Sequence, residues 1–575
     1  MRKFSLMALS ASVACAVIWA ADWPGQSGNP QRDGWAKAEK AFTKENAGKI
    51  EFLYKYKAEN QAKGLSALGS PVINGMLITY LGFKEMLVFG GSSDNVYSVD
   101  ADLARLIWKV HFDNKSDKAA PAPTAVCPGG MTAAIAMPGS STAGGRGPGG
   151  GGRGRGPGAP GAAGPGRGPG APAAGRGAAP AFPAPGAPQP LFAAGNFGRA
   201  ANFAAIGSDG NLHALNSSTG GDRATPIKFV PPNSKVSGLN VNDGVVYAAT
   251  QDSCGGNANG IYALDLSTLE PKASSMELNG GGAAGSGGTA VGTDGTVYAQ
   301  IPDGTGEVAG KYNDTVIAMS KDLKVKDYFT PSSTVSAVTK GIPAPGATPV
   351  VFSWKGSDVI VAGGRDGRLY LLDSKSLGGA DHHTPLSMTE PVASPDTKFA
   401  GNGFWGTFAS WEDTDNGNAR WVYASLWGPA AGSAKLGATN GNAPNGSIVA
   451  FKVEEQGGKP VLTPAWSSRD MQAPAPVVTA NGLVFALSSG ESARQAKENG
   501  TPYTVAEKQK MAGRAVLYVL DGATGKELYS SGNMTATFSH GTGIAVANRR
   551  IYFTTHDNLM YALGFLAEQP QLTGK

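Results

Sequence analysis

Cysteine is nearly missing from this chain: three residues in 575, none adjacent to another and none in a C-x-x-C-H arrangement. The last absence excludes a covalently attached c-type haem. Charge is also scarce, at 16% of residues. Beyond the N-terminal segment, no apolar run approaches the ~18–20 residues of a membrane-spanning helix. What replaces charge is glycine (83) and proline (38), poor material for long helices and good material for many short strands joined by turns. The length allows either several ordinary domains or one large repeat architecture.

The formal net charge of +5 points to a basic protein only until the charges are located. Five of the 49 basic residues (Arg146, Arg153, Arg155, Arg167, Arg176) fall in one tract over 141–190, leaving 44 against 44 acidic residues. The rest of the chain is therefore not basic, which argues against a nucleic-acid-binding surface. The tract itself is almost entirely Gly, Pro, Ala and Arg. Glycine holds a three-residue period only at Gly158, Gly161 and Gly164 before Arg167 breaks it, so a collagen helix is excluded. A disordered insertion is expected, because this composition cannot bury enough apolar surface to order itself.

At the N-terminus, Arg2 and Lys3 precede an apolar segment over 4–20 that ends in Trp19-Ala20-Ala21, the layout of a secretory signal peptide over 1–21. Export to the periplasm or beyond is expected. Cys15 sits in a loose lipobox, Ser12-Val13-Ala14-Cys15, which offers lipidation as an alternative. Removal of Cys15 leaves Cys127 and Cys254. In an oxidising compartment two such thiols are expected as a disulfide rather than as separate buried groups.

The stretch SDNVYSVD over 93–100 recurs as DGNLHALN (209–216), DGRLYLLD (366–373) and DNLMYALG (557–564). Each begins with a pair suited to a tight hairpin and continues as a strand. GIYALD (260–265), TVIAMS (315–320), SIVAFK (447–452) and VLYVLD (516–521) share the pattern behind longer loops. Most spacings fit one four-stranded propeller blade per copy, at ~40–50 residues, once inserted loops are allowed for. The eight copies predict an all-β, eight-bladed β-propeller over 22–575. Its last blade would take KIEFLYKYK (49–57) as outer strand, closing the ring by pairing the N- and C-terminal strands. The insertion 141–190 then falls within the second blade, between an inner strand at 131–136 and its partner at 202–206.

A third strand followed by Asp, a bend and Leu-Ile-Trp (Asp100 to Trp108), with a second copy from Asp521 to Tyr529, resembles the repeat of the pyrroloquinoline-quinone (PQQ) propellers, the quinoprotein alcohol dehydrogenase-like group. The segment from Asp22, DWPGQSGNPQRDGW, is also similar to the start of that family's barrel. The resemblance implies PQQ held over the central axis, a Ca²⁺ bridging cofactor and protein ligands, an Asp general base, and a lid made by two adjacent cysteines. This sequence has no adjacent cysteines, so that lid is absent. The docking tryptophan of the repeat is clear only at Trp108.

In a propeller, the loops from second to third strand and the loops between blades open on one face. The long second-to-third loops are 250–260, 301–314, 427–446 and 488–515. Candidate residues on that face are Trp405 and Trp427 as a stacking platform and His540 at the mouth, with Asn257 and Asn259 as oxygen ligands. Asp303 and Glu307 are candidate metal ligands. Asp381-His382-His383 reads as a solvated loop. Cys127, between blades, and Cys254, in a second-to-third loop of the neighbouring blade, share the same face. The chain is thus expected to be an exported propeller that binds a small ligand or an envelope protein on its axial face. The alternatives are a PQQ-dependent oxidoreductase with an external electron acceptor and a cell-envelope assembly scaffold.

Overall fold

The computed structural model describes residues 21–79, 82–131, 135–138, 190–192, 203–278, 280–302, 312–332 and 342–566. The expected signal peptide except Ala21, the insertion except Pro190, and both Asp303 and Glu307 lie outside the described residues.

Blade 1 shows how the repeat builds its sheet. Strands Val72–Thr79, Gly82–Gly91, Asn95–Asp100 and Arg105–His111 pair antiparallel in that order. The hairpin before the third strand closes through Asp94 at φ +58°, a left-handed conformation that short polar side chains tolerate. Every residue of the third strand is buried, because adjoining elements cover both of its faces. The outer strand is mostly exposed, and Trp108 alone is buried. Blades 2, 3, 4, 5, 6 and 7 occupy 240–278, 290–329, 350–388, 403–467, 478–530 and 545–564.

The propeller has seven blades, not the eight expected. All eight motif copies are strands, but Asn211–Leu215 sits in a sheet of only three, with Phe203–Ile206 and Ile227–Lys228. Of the inner strand expected over 131–136, residues 132–134 lie outside the described residues, and among the described ones a single bridge joins Ala136 to Ala204. A motif strand needs one hairpin partner to form, whereas a blade needs four strands in register. The expected strand is hemmed in by Pro128, Gly129 and Gly130 before it and Pro138 after it, residues that weaken a ladder or withhold its N–H donors. The three-stranded sheet is wedged between blades 1 and 2. Phe203 and Leu215 pack with Val88 and Val96, while Ala204 and Leu212 pack with Val241 and Val246.

Two tryptophans lock neighbouring sheets together. Trp108 donates its indole N–H to the Ser217 carbonyl (2.9 Å), and a Cβ on Gly220 would lie 2.4 Å from the Trp108 ring. Trp466 repeats the arrangement between blades 5 and 6: it donates to the Gly522 carbonyl (3.1 Å), and a Cβ on Gly525 would lie 2.3 Å from its ring. Both glycines have φ near +70°, so the turn and the ring together exclude a side chain. The docking tryptophan is therefore not confined to Trp108.

Two features close the molecule. Glu51–Lys57 pairs antiparallel with Leu559–Gly564 as the outer strand of blade 7, removing a free edge. The chain before it threads the axis. Trp23 bridges Ile73 of blade 1, and the carbonyls of Pro30, Gln31 and Asp33 accept from Val291, Val351 and Ser410 of blades 3, 4 and 5. Gly34 and Ala36 then bond Thr479 of blade 6. Arg32, 1% exposed, fixes this plug. Its guanidinium donates to the carbonyls of Gln26 (2.5 Å), Leu239 (2.8 Å), Gly287 (2.8 Å), Thr289 (3.0 Å) and Gly238 (3.2 Å). Burial lowers its pKa to about 9, so it remains a cation at neutral pH.

Candidate functional site

Above the plug, the axis opens into a cavity of about 960 Å³. Gln26 of the plug reaches it, and the rest of its wall comes mainly from two loop classes: inter-blade segments such as 66–70, 280–286 and 539–542, and second-to-third loops such as 251–253 and 489–495. Both open on one face because the strands alternate direction within each blade.

Trp405 and Trp427 line this cavity and stack on each other, ring centroids 4.5 Å apart and 19° from parallel. They reach each other because Gly403 pairs with Trp427 in the register of blade 5, which leaves Trp405 two residues along the partner strand. Each indole N–H is committed to a backbone carbonyl, Trp405 to Gly401 (2.8 Å) and Trp427 to Pro474 (3.0 Å). The rings are half-buried and fixed, a flat apolar surface at the wall.

His540 lines the same cavity, and its Nδ1 lies 2.8 Å from Glu491 Oε2. Lys508 Nζ lies 3.4 Å from Glu491 Oε1 and donates to the carbonyls of Ser492 (2.7 Å) and Arg494 (3.0 Å). Glu491 and Lys508 are both nearly inaccessible. Burial alone would raise the Glu491 pKa, but the adjacent His540 and Lys508 hold it down at about 2. Lys508 is positioned by the short helix Val505–Met511, which Thr504 and Glu507 start with a reciprocal capping box. Neither Glu491 nor Lys508 stood out in the sequence. Each lies in the long loop 489–515, and only the fold carries that loop to His540.

The other candidates are placed differently. Asn257 donates to Pro232 O (2.7 Å) and Ser234 Oγ (3.1 Å), and Asn259 donates to Gly280 O (2.7 Å). Their side chains tie loops together. Cys127 and Cys254 form a disulfide with Cα atoms 5.5 Å apart. The bond joins two rim loops whose neighbours Val126 and Ser253 touch the cavity. Lys235 and Asp252 pair across the wall at 2.7 Å. His382 stacks on Tyr328 (4.0 Å) and His383 faces the Thr330 carbonyl (2.8 Å), so both histidines pin the outer strand of blade 3. Among the described residues, no helix is long and apolar enough to cross a membrane.

No protein-family model and no curated protein matches the chain. Solved structures do. The quinohemoprotein alcohol dehydrogenase from Comamonas testosteroni superposes over 96% of this chain and 82% of its own, at TM-score 0.52 and 13% identity. A europium-containing methanol dehydrogenase covers 94% of this chain and 89% of its own, at TM-score 0.53 and 12% identity. The quinohemoprotein alcohol dehydrogenase of Pseudomonas putida HK5 covers 94% and 80%, at TM-score 0.51 and 12% identity. This chain has the quinoprotein-dehydrogenase propeller fold.

At that identity the quinoprotein likeness is one of fold, and the site must be judged on its own residues. Among the described residues, no group of three or more His, Cys, Asp or Glu side chains could hold a metal ion. The two described carboxylates at the cavity, Asp252 and Glu491, are each already engaged by a cation. The described donor set therefore does not fit a quinone-bridging Ca²⁺, and no chemical step is derived through one.

Proposed function

We propose that this chain is an exported quinoprotein-type propeller that binds a small organic ligand in its axial cavity. The observation that carries this reading is the cavity itself, at about 960 Å³, with the Trp405–Trp427 stack in its wall. That volume lies within the ~300–1,000 Å³ of small-molecule sites, and an apolar wall with a few fixed polar groups is their usual lining. The disulfide supports an oxidising compartment, in keeping with the signal peptide expected over 1–21. The test is tryptophan fluorescence and thermal shift of the purified protein against sugars, alcohols and aromatic acids. A saturable response that Trp405→Ala weakens supports the reading. A response that Trp405→Ala and Trp427→Ala both leave unchanged would place binding elsewhere.

A second reading, a PQQ-dependent oxidoreductase with an external electron acceptor, draws support from the fold shared with two quinohemoprotein alcohol dehydrogenases and a europium-containing methanol dehydrogenase over 94–96% of this chain. Optical titration with PQQ and Ca²⁺, followed by dye reduction with alcohols, tests it. Absence of binding at micromolar cofactor would remove it.

A further inference from the structure

We propose that His540, oriented by Glu491, is the proton acceptor of the axial cavity, and that the ligand it anchors carries an acidic group, a carboxylic acid or an enol. The inference rests on the cavity being the binding site and assigns the chemistry within it. His540 Nδ1 is taken up by the Glu491 carboxylate at 2.8 Å, while its Nε2 has no hydrogen-bond partner among the described residues. A carboxylate on Nδ1 selects the tautomer with the proton there and leaves Nε2 as a base. Glu491 stays ionised because Lys508 and His540 face its two oxygens.

The charges of the wall identify the ligand class. Among the described residues, the charged side chains at the cavity besides His540 are Lys235, Asp252 and Glu491. Lys235 pairs with Asp252, and Glu491 pairs with Lys508 from the helix behind it. Among the described residues the wall is otherwise balanced, so an imidazolium at His540 adds a single positive charge that calls for one anion. In the step proposed for an enol, the ligand O–H bond breaks, its electron pair stays on oxygen, and the proton forms an Nε2–H bond; a carboxylic acid, already ionised at neutral pH, meets an imidazolium that has taken its proton from water. The product is a bound anion hydrogen-bonded to an imidazolium, with no change of oxidation state.

The test is carbethoxylation of the full chain by diethyl pyrocarbonate at pH 7, read by peptide mass spectrometry, with and without benzoate or its neutral analogue benzamide. His111, more than half exposed, is the internal reference. His540 is expected to react at a rate comparable to His111, to be protected by benzoate and not by benzamide. In Glu491→Gln its rate is expected to fall by about tenfold at pH 8.5 while His111 is unchanged. An unreactive His540 beside a reactive His111 overturns the proposal, as does protection by benzamide equal to that by benzoate, or by neither. If Glu491→Gln does not fold, the wild-type rates and protections decide alone. A cavity that binds neutral ligands while His540 stays silent would keep the binding function and remove this anchor.

Discussion

Arg32 and Glu491 are buried charges near the axis of the same propeller, and they are satisfied in opposite ways. Arg32 spends its donors on five backbone carbonyls drawn from the plug and from blades 2 and 3. Glu491 holds Lys508 with one oxygen and His540 with the other, and His540, which lines the cavity, keeps its Nε2 without a partner among the described residues. A closed network serves architecture, because nothing is left to offer a ligand. A network with one open end at a cavity is where chemistry can occur. The two ends of the axis thus divide the work, the plug holding the blades together and the mouth carrying the reactive groups.

The sharpest way to break that division is Arg32→Ala. Five buried carbonyls would lose their donor, and destabilisation on the order of 5 kcal/mol or outright failure to fold is expected in guanidinium denaturation. A loss below about 1 kcal/mol would show that the plug is not held by this residue. Next in size is the rim. Cys127→Ser removes a crosslink spanning 127 residues, expected to cost about 4–5 kcal/mol in the chain-entropy model. Equal denaturation midpoints with and without reductant would contradict this.

The Glu491 network should show itself in acid. Its carboxyl is held at about 2 against an ordinary 4.5, so it stabilises the folded state fully above pH ~4.5. That stability is lost as pH falls from about 4.5 to about 2, amounting to about 3 kcal/mol. Glu491→Gln should flatten this part of the stability–pH curve, and an unchanged slope would show that the carboxyl is not held down. The smallest expected stability effect is Trp405→Ala, about 1 kcal/mol from a half-buried stacked pair, read as a shift in Tm. Its effect on ligand binding should be far larger, which is the mark of a residue at the mouth rather than in the frame.

Much of the propeller was legible because its signal is local. The turn pairs and alternating residues at 93–100, 366–373 and 557–564 encode hairpins, and hairpins form between neighbours in sequence. The pairing of Glu51–Lys57 with the last strand followed from an outer strand lacking its partner. The count of eight failed because one motif strand, Asn211–Leu215, has no inner strand among the described residues to complete a blade. Trp466 escaped notice as a docking residue because the turn before it, Gln456 to Lys459, lacks the Asp-containing bend that marked Trp108. At the site, Trp405, Trp427 and His540 were placed on the axial face by loop class alone. Glu491 and Lys508 were invisible, since an ordinary loop glutamate and a helix lysine carry no sequence mark of a burial that only other elements create.

By itself the sequence determined an all-β repeat, a chain whose charge balances outside one tract, and a pair of cysteines on loops that share a face. Those properties depend on composition and on contacts within a few residues. Only the tertiary structure decided that the ring has seven blades, that the segment from Trp23 to Ala36 threads the axis, and that Glu491, Lys508 and His540 meet at the cavity wall. Each of these rests on contacts between distant parts of the chain. Such contacts are set by how blades pack around an axis, and no local pattern of residues encodes them.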